Sequence, residues 1–171
     1  MTFRHCFTLS TLLALAACAS APAPKSALLD AARTPAPGVH VSGRIASDDI
    51  ASLREAGIRR VIDLTPDAET PDFDEASALR AAGVDYANLP IGGAGDLTRE
   101  NVHAFDALMR DATQPVLVHC ASGNRVGAMA ALRAAWIEGK APDEAIAIGK
   151  AWGLTGLEDA VRQRIVSGGA Q

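Results

Sequence analysis

Pro115-Val116-Leu117-Val118-His119-Cys120-Ala121-Ser122-Gly123-Asn124-Arg125-Val126 is the stretch whose reading decides the fold. Residues 115–118 form a short apolar run, the pattern of a buried strand. From residue 126 to 138 the apolar side chains recur at helical spacing, and Gly139 stops the pattern. A strand therefore ends at Cys120 and a helix begins near Arg125. The loop between them aims backbone N–H groups into one small concavity, backed by the positive end of the helix dipole. That is an anion cradle with a thiol at its floor and a guanidinium at its rim. Helix N-termini and nearby cations favour an ionised thiol, so the expected product is a nucleophilic thiolate facing a bound oxyanion.

Outward from this stretch, β-branched runs alternate with amphipathic ones. Strands are expected at residues 39–41, 60–64, 84–89 and 116–119. Helices are expected at 48–56, 73–82, 98–111, 126–138, 142–152 and 157–166. Ser47 and Thr98 are the expected caps of the first and third helices, and Pro142 suits a first helical turn. This alternation implies an α/β fold, a central and mostly parallel sheet of about four strands flanked by helices. Ligands in such sheets bind beyond the carboxyl ends of the strands. The loops at residues 65–69, 90–96 and 120–125 should converge there.

The N-terminal region reads differently. Arg4 precedes an uncharged, mostly apolar segment at residues 7–17, which is too short to span a bilayer as a helix. It ends in Leu15-Ala16-Ala17-Cys18, which resembles a bacterial lipobox. Residues 1–17 are thus expected to be a signal peptide and Cys18 a lipidated N-terminus. Ala19 at the next position resembles lipoproteins sent to the outer membrane. The expected location is the cell envelope, facing the periplasm, with lipid as the only membrane contact. Residues 18–38, rich in Pro and Ala, read as a tether, and residues 39–171 as one domain. Cys6 leaves with the signal peptide and Cys18 carries lipid. Cys120 is then the one free thiol of the mature chain, so an intramolecular disulfide is excluded. A formal charge of −4 with no basic stripe, and 4% aromatic residues, argue against nucleic-acid partners. The histidines at 5, 40 and 103 have no metal-ligand spacing.

At its central loop the chain resembles the cysteine-dependent phosphatases of the protein-tyrosine and dual-specificity kind. Their signature is His-Cys, five residues, then Arg. The resemblance covers residues 39–166. It includes Gly43-Arg44-Ile45, Val61-Ile62-Asp63-Leu64 and Leu89-Pro90-Ile91. More narrowly, the chain is similar to a bacterial phosphatase-like domain found fused to β-lactamase-like hydrolases. The resemblance implies a phosphatase-like domain at 39–171 with Cys120 as nucleophile. The amides of Ala121, Ser122, Gly123, Asn124 and Arg125 would hold the oxyanion. Gly123 would permit the turn. Arg125 would clamp two oxygens as a planar fork, and His119 would support the loop and the thiolate. It implies no cofactor and no metal, and a phosphorylated small molecule or phosphoprotein as partner.

Three departures qualify the resemblance. Four residues, not five, separate Cys120 from Arg125. Val126 stands where a hydroxyl would aid the second chemical step. The third-strand loop runs Ile91-Gly92-Gly93-Ala94-Gly95 before its first acid, Asp96. Asp96 is the general-acid candidate on that loop, and also a residue suited to starting the helix that follows. Asp67 and Glu69, on the neighbouring loop, read as solvated turn residues. The tighter loop resembles that of rhodanese-type sulfurtransferases, so a persulfide on Cys120 is the alternative chemistry. A binding module that holds an anion without turnover is the third reading.

Overall fold

The structure, a computed structural model, describes residues 26–112 and 115–168. Residues 1–17 and Cys18, with the expected signal peptide and lipid site, lie outside the described residues. In chain order the elements are α1 (Ala27–Ala31), β1 (Arg33–Ala36), β2 (Val39–Ser42), α2 (Asp49–Glu55), β3 (Arg60–Asp63), α3 (Glu75–Ala81), β4 (Asp85–Asn88), α4 (Arg99–Asp111), β5 (Val116–His119), α5 (Asn124–Trp136), α6 (Pro142–Ala151) and α7 (Glu158–Val166). Single 3-10 turns occur at Asp67–Glu69 and Ala94–Asp96.

The strands form one five-stranded sheet in the order β1-β2-β5-β3-β4. The four expected strands are present and mutually parallel where they pair. The fifth, β1, pairs antiparallel with β2. Its residues fall in the expected tether at 18–38, and the sheet extends back to Arg33. Thr34-Pro35-Ala36-Pro37 signals an extended spacer, and extended chain is also what an edge strand needs. A proline lacking an N–H is tolerated at a sheet edge.

Side-chain alternation along the strands divides the core between the two faces of the sheet. Ile62, Val116 and Val118 enter a large apolar cluster with Phe105 of α4, Met129 and Leu132 of α5, Ile146 of α6 and Val161 of α7. Val61 and Leu117 face the other way, into a smaller cluster with Leu53 of α2 and Leu79 of α3. Helix α5 is the most buried of the helices. A Cβ on Gly127 would lie 2.1 Å from the Leu154 backbone nitrogen, so only glycine lets the chain after α6 pass this close. Thr98 caps α4 by accepting from the Asn101 N–H. Ser47 does not cap α2. Asp49, the first residue of α2, accepts from the Ala46 N–H instead.

Candidate active site

The site is built on a row of residues at the carboxyl edge of the sheet. Register places Ser42, His119, Asp63 and Asn88 side by side on four neighbouring strands. Cys120 follows at the end of β5 and is buried. Its Sγ accepts a hydrogen bond from the Gly123 N–H at 3.2 Å, so the loop curls over the sulfur. That turn needs Gly123 at φ +83°, a left-handed conformation that costs a side chain roughly 1–2 kcal/mol. Helix α5 starts immediately afterwards, its first bond running from the Gly127 N–H to the Gly123 carbonyl. The backbone of Gly43 presses against the Ala121 carbonyl and walls one side of the loop.

Arg125 is buried and its donors can be counted. Nη1 donates to Glu69 Oε1 at 2.8 Å and to the Ile91 carbonyl at 2.7 Å. Nη2 donates to Glu69 Oε2 at 2.8 Å. A guanidinium has five N–H donors, so Nε and one N–H of Nη2 remain. Those two form a second fork, on the edge that Glu69 does not hold. The Glu69 hydrogen bond keeps Arg125 protonated, and the sulfur of Cys120 acts in the same direction. Conversely, the Arg125 donors hold the Glu69 carboxyl below the usual carboxylate range.

Beneath the loop lies a buried polar network. His119 Nε2 is 2.8 Å from Glu75 Oε1 and 3.4 Å from Asp63 Oδ1. Asp63 is further held by the Thr65 N–H at 2.7 Å, the Tyr86 hydroxyl at 2.9 Å and the Asn88 amide at 3.2 Å. Burial, reinforced by Asp63, pushes the Tyr86 phenol up, so it remains a donor. His119, Glu75 and Asp63 offer three ligand atoms within 4.8 Å of one another. The 2.8 Å N···O separation is that of a hydrogen bond. Zinc at its usual bond lengths would hold tetrahedral ligands about 3.3 Å apart. The His119–Glu75 spacing therefore fits a shared proton better than tetrahedral zinc.

Residues 30–137 match the family described as "Beta-lactamase hydrolase-like protein, phosphatase-like domain". The chain belongs to this family. A Beta-lactamase hydrolase-like protein of Xylella fastidiosa is 34% identical over 119 residues, 67% of this chain and 27% of the relative. One from Agrobacterium fabrum is 35% identical over 89 residues, 50% of this chain and 20% of the relative. The chain thus spans about a quarter of the curated relatives it matches. Among solved structures, a candidate phosphatase of Neisseria meningitidis superposes with a TM-score of 0.66 at 27% identity, covering 79% of this chain and 96% of that one. A candidate phosphatase of Shewanella putrefaciens gives 0.60 at 26%, with coverages of 82% and 94%.

Within this phosphatase-like domain the remaining expected residues fall as follows. Ala121 and Ser122 are exposed at the loop's crest and Gly123 is buried. Asn124 turns away from the cradle, its Oδ1 accepting from the Thr155 and Leu157 N–H groups and so pinning the α6–α7 connection to the start of α5. Val126 packs in the larger core cluster. Asp96 lies on the β4–α4 loop, whose residue Ile91 touches Arg125. Its Oδ2 accepts from the Gly92 N–H at 2.7 Å and the Gly93 N–H at 3.3 Å, latching the glycine loop. Asp67 lines a separate cavity of about 440 Å³ with Asp74 and Glu75, away from Arg125. Glu69 is no solvated turn residue, since it grips Arg125. Glu75, which stood out by no motif, is the partner of His119.

Proposed function

We propose that this domain hydrolyses phosphate monoesters through a cysteinyl-phosphate intermediate on its Cys-x4-Arg loop. The observation that carries the reading is the Nε–Nη2 edge of Arg125, which Glu69 leaves open beside a sulfur that accepts from the Gly123 N–H. A phosphate dianion meets that fork and the loop amides from Ala121 to Arg125. The Cys120 thiolate then attacks phosphorus in line and the ester P–O bond breaks. The leaving oxygen takes a proton from an acid, for which Asp96 is our candidate through Oδ1, the oxygen not engaged by the latch. Water then cleaves the P–S bond, releasing inorganic phosphate and restoring the thiol. Arg125 and the amides supply the positive field for the transition state. His119, Glu75 and Asp63 hold the strand end beneath the sulfur.

The partner is a phosphorylated small molecule or a phosphoprotein. The lipobox-like Leu15-Ala16-Ala17-Cys18 supports anchorage through lipid on Cys18, facing the periplasm at the outer membrane. The experiment is turnover of an aryl phosphate and, separately, of thiosulfate with cyanide, by wild type and Cys120→Ser. Phosphate release that Cys120→Ser abolishes is the expected result. Thiocyanate release without phosphate release would establish sulfur transfer instead, and neither product would leave an anion-binding module.

A further inference from the structure

Two guanidiniums flank Glu69, and one of them has no evident duty there. Each Glu69 oxygen already accepts from Arg125 at 2.8 Å, so the carboxylate's charge and geometry are satisfied. Arg44 lies beside the same carboxylate at a looser 3.7 Å, with its side chain 48% exposed. The influence of Arg44 on Glu69 is correspondingly the least of the causes acting on that carboxyl. Arg44 therefore carries a charge that Glu69 does not need, with no hydrogen bond to another described residue, and it follows the residue that packs on the cradle loop.

Its position there is fixed by the backbone. The preceding residue, Gly43, packs on the Ala121 carbonyl of the cradle loop, where even a Cβ would come within 3.2 Å. Arg44 also opens onto a groove of about 360 Å³ between the β2–α2 and β3–α3 connections, with Pro71 and Phe73 as apolar walls. Glu69 lines this groove as well, so the groove runs out from the edge of the phosphate site. Asp72 is the other charged residue in it and repels an anion placed along its length. An anion is thus favoured at Arg44 and disfavoured beyond it.

We propose that Arg44 is a specificity-determining residue that recognises a second anionic group, a phosphate or carboxylate, on the same substrate close to the scissile phosphate. The proposal rests on the phosphatase reading above and names the substrate class of that site, phosphomonoesters bearing a neighbouring anion. The substrate's uncharged body would lie against Pro71 and Phe73.

The test compares phenyl phosphate with 3-carboxyphenyl phosphate and 1,3-phenylene bisphosphate, measured as phosphate release by wild type, Arg44→Met and Arg44→Lys. The wild type should favour the doubly anionic substrates in kcat/KM by roughly tenfold, the scale of one charge-assisted hydrogen bond. Arg44→Met should collapse that ratio towards one, and Arg44→Lys should retain part of it. A residue acting only by steadying Glu69 would slow all three substrates alike and leave the ratio untouched, which overturns the proposal. So does a wild-type ratio near one. A binding arm is independent of turnover. Calorimetric titration of Cys120→Ser with the same three compounds should show the same preference and the same loss on adding Arg44→Met. Preference in binding without any turnover would sink the phosphatase reading and keep the second-anion site.

Discussion

The carboxylate of Glu69 meets the guanidinium of Arg125 edge to edge, Oε1 to Nη1 and Oε2 to Nη2, each at 2.8 Å. The Ile91 carbonyl fixes Nη1 from a second direction. Two loops thus hold one face of the arginine so that the other is presented towards Cys120. Bidentate pairing of this kind fixes orientation as well as charge.

Glu69→Gln should therefore lower kcat/KM for an aryl phosphate by about 10²-fold, the scale of an ångström's misplacement in a reacting site. Arg125→Lys should be worse, because a point charge replaces both forks at once. Acidity separates the two roles of Glu69. Its carboxyl is held below the usual range, chiefly by the Arg125 hydrogen bond. The pair's contribution is then present above the unfolded value of about 4.3 and is lost only as pH falls through the lower folded value. Wild type should keep Arg125 aligned at pH 5, and the deficit of Glu69→Gln should shrink at pH values below 4. A deficit constant across that range would mean the carboxylate's charge is not what orients Arg125.

Glu69 also shows what the sequence leaves illegible. The strand β5, the cradle and α5 are local features, each readable from an apolar run, a glycine or a helical period. Their assembly into a parallel sheet follows from the alternation of elements. Glu69 is one of several acids on a single loop, and its partner lies 56 residues away. Nothing in its neighbourhood distinguishes it from Asp67 or Asp72. Glu75 reads as an ordinary first-turn acid, favoured by the helix dipole. It is buried because folding brings β5, and with it His119, against the start of α3. The strand β1 was masked by its own composition, since Pro35 signals a spacer and an edge strand equally.

The buried network should announce itself in stability. Glu75→Ala takes from the buried His119 Nε2 its 2.8 Å partner, and leaving a buried polar group without its partner costs about 1–3 kcal/mol. Tyr86→Phe deletes one donor to Asp63 and should cost about 1–3 kcal/mol. Urea unfolding at neutral pH measures both. The phenol also gives a sign. Because burial and Asp63 raise it in the folded state, the folded protein keeps that proton after the unfolded chain releases it near pH 10. Wild-type stability should fall as pH rises beyond 10, and Tyr86→Phe should show a shallower fall. Equal slopes would mean Tyr86 has no linkage to folding.

Anchoring is tested without reference to catalysis. Cys18→Ala should shift the full chain from the membrane fraction to a soluble or uncleaved form, and metabolic labelling with a palmitate analogue should disappear. Unchanged membrane association of Cys18→Ala with normal processing would reject lipid anchorage at this residue.

Asp96 has two possible duties, and a pair of substitutions divides them. Its Oδ2 latches the Gly92 and Gly93 N–H groups, a task for any acceptor oxygen. Proton donation needs a carboxyl. Asp96→Asn keeps an acceptor for the latch and loses the proton, whereas Asp96→Ala loses both. General acid catalysis is worth roughly 10²–10⁴-fold and matters most when the leaving group is poor. Asp96→Asn should therefore slow phenyl phosphate far more than 4-nitrophenyl phosphate, and Asp96→Ala should add a further loss common to both substrates. If Asp96→Asn is harmless on both while Asp96→Ala slows both alike, Asp96 is the latch of the glycine loop and nothing more. The leaving oxygen would then take its proton from water. The sulfur-transfer chemistry, which requires no acid at this position, would gain in proportion.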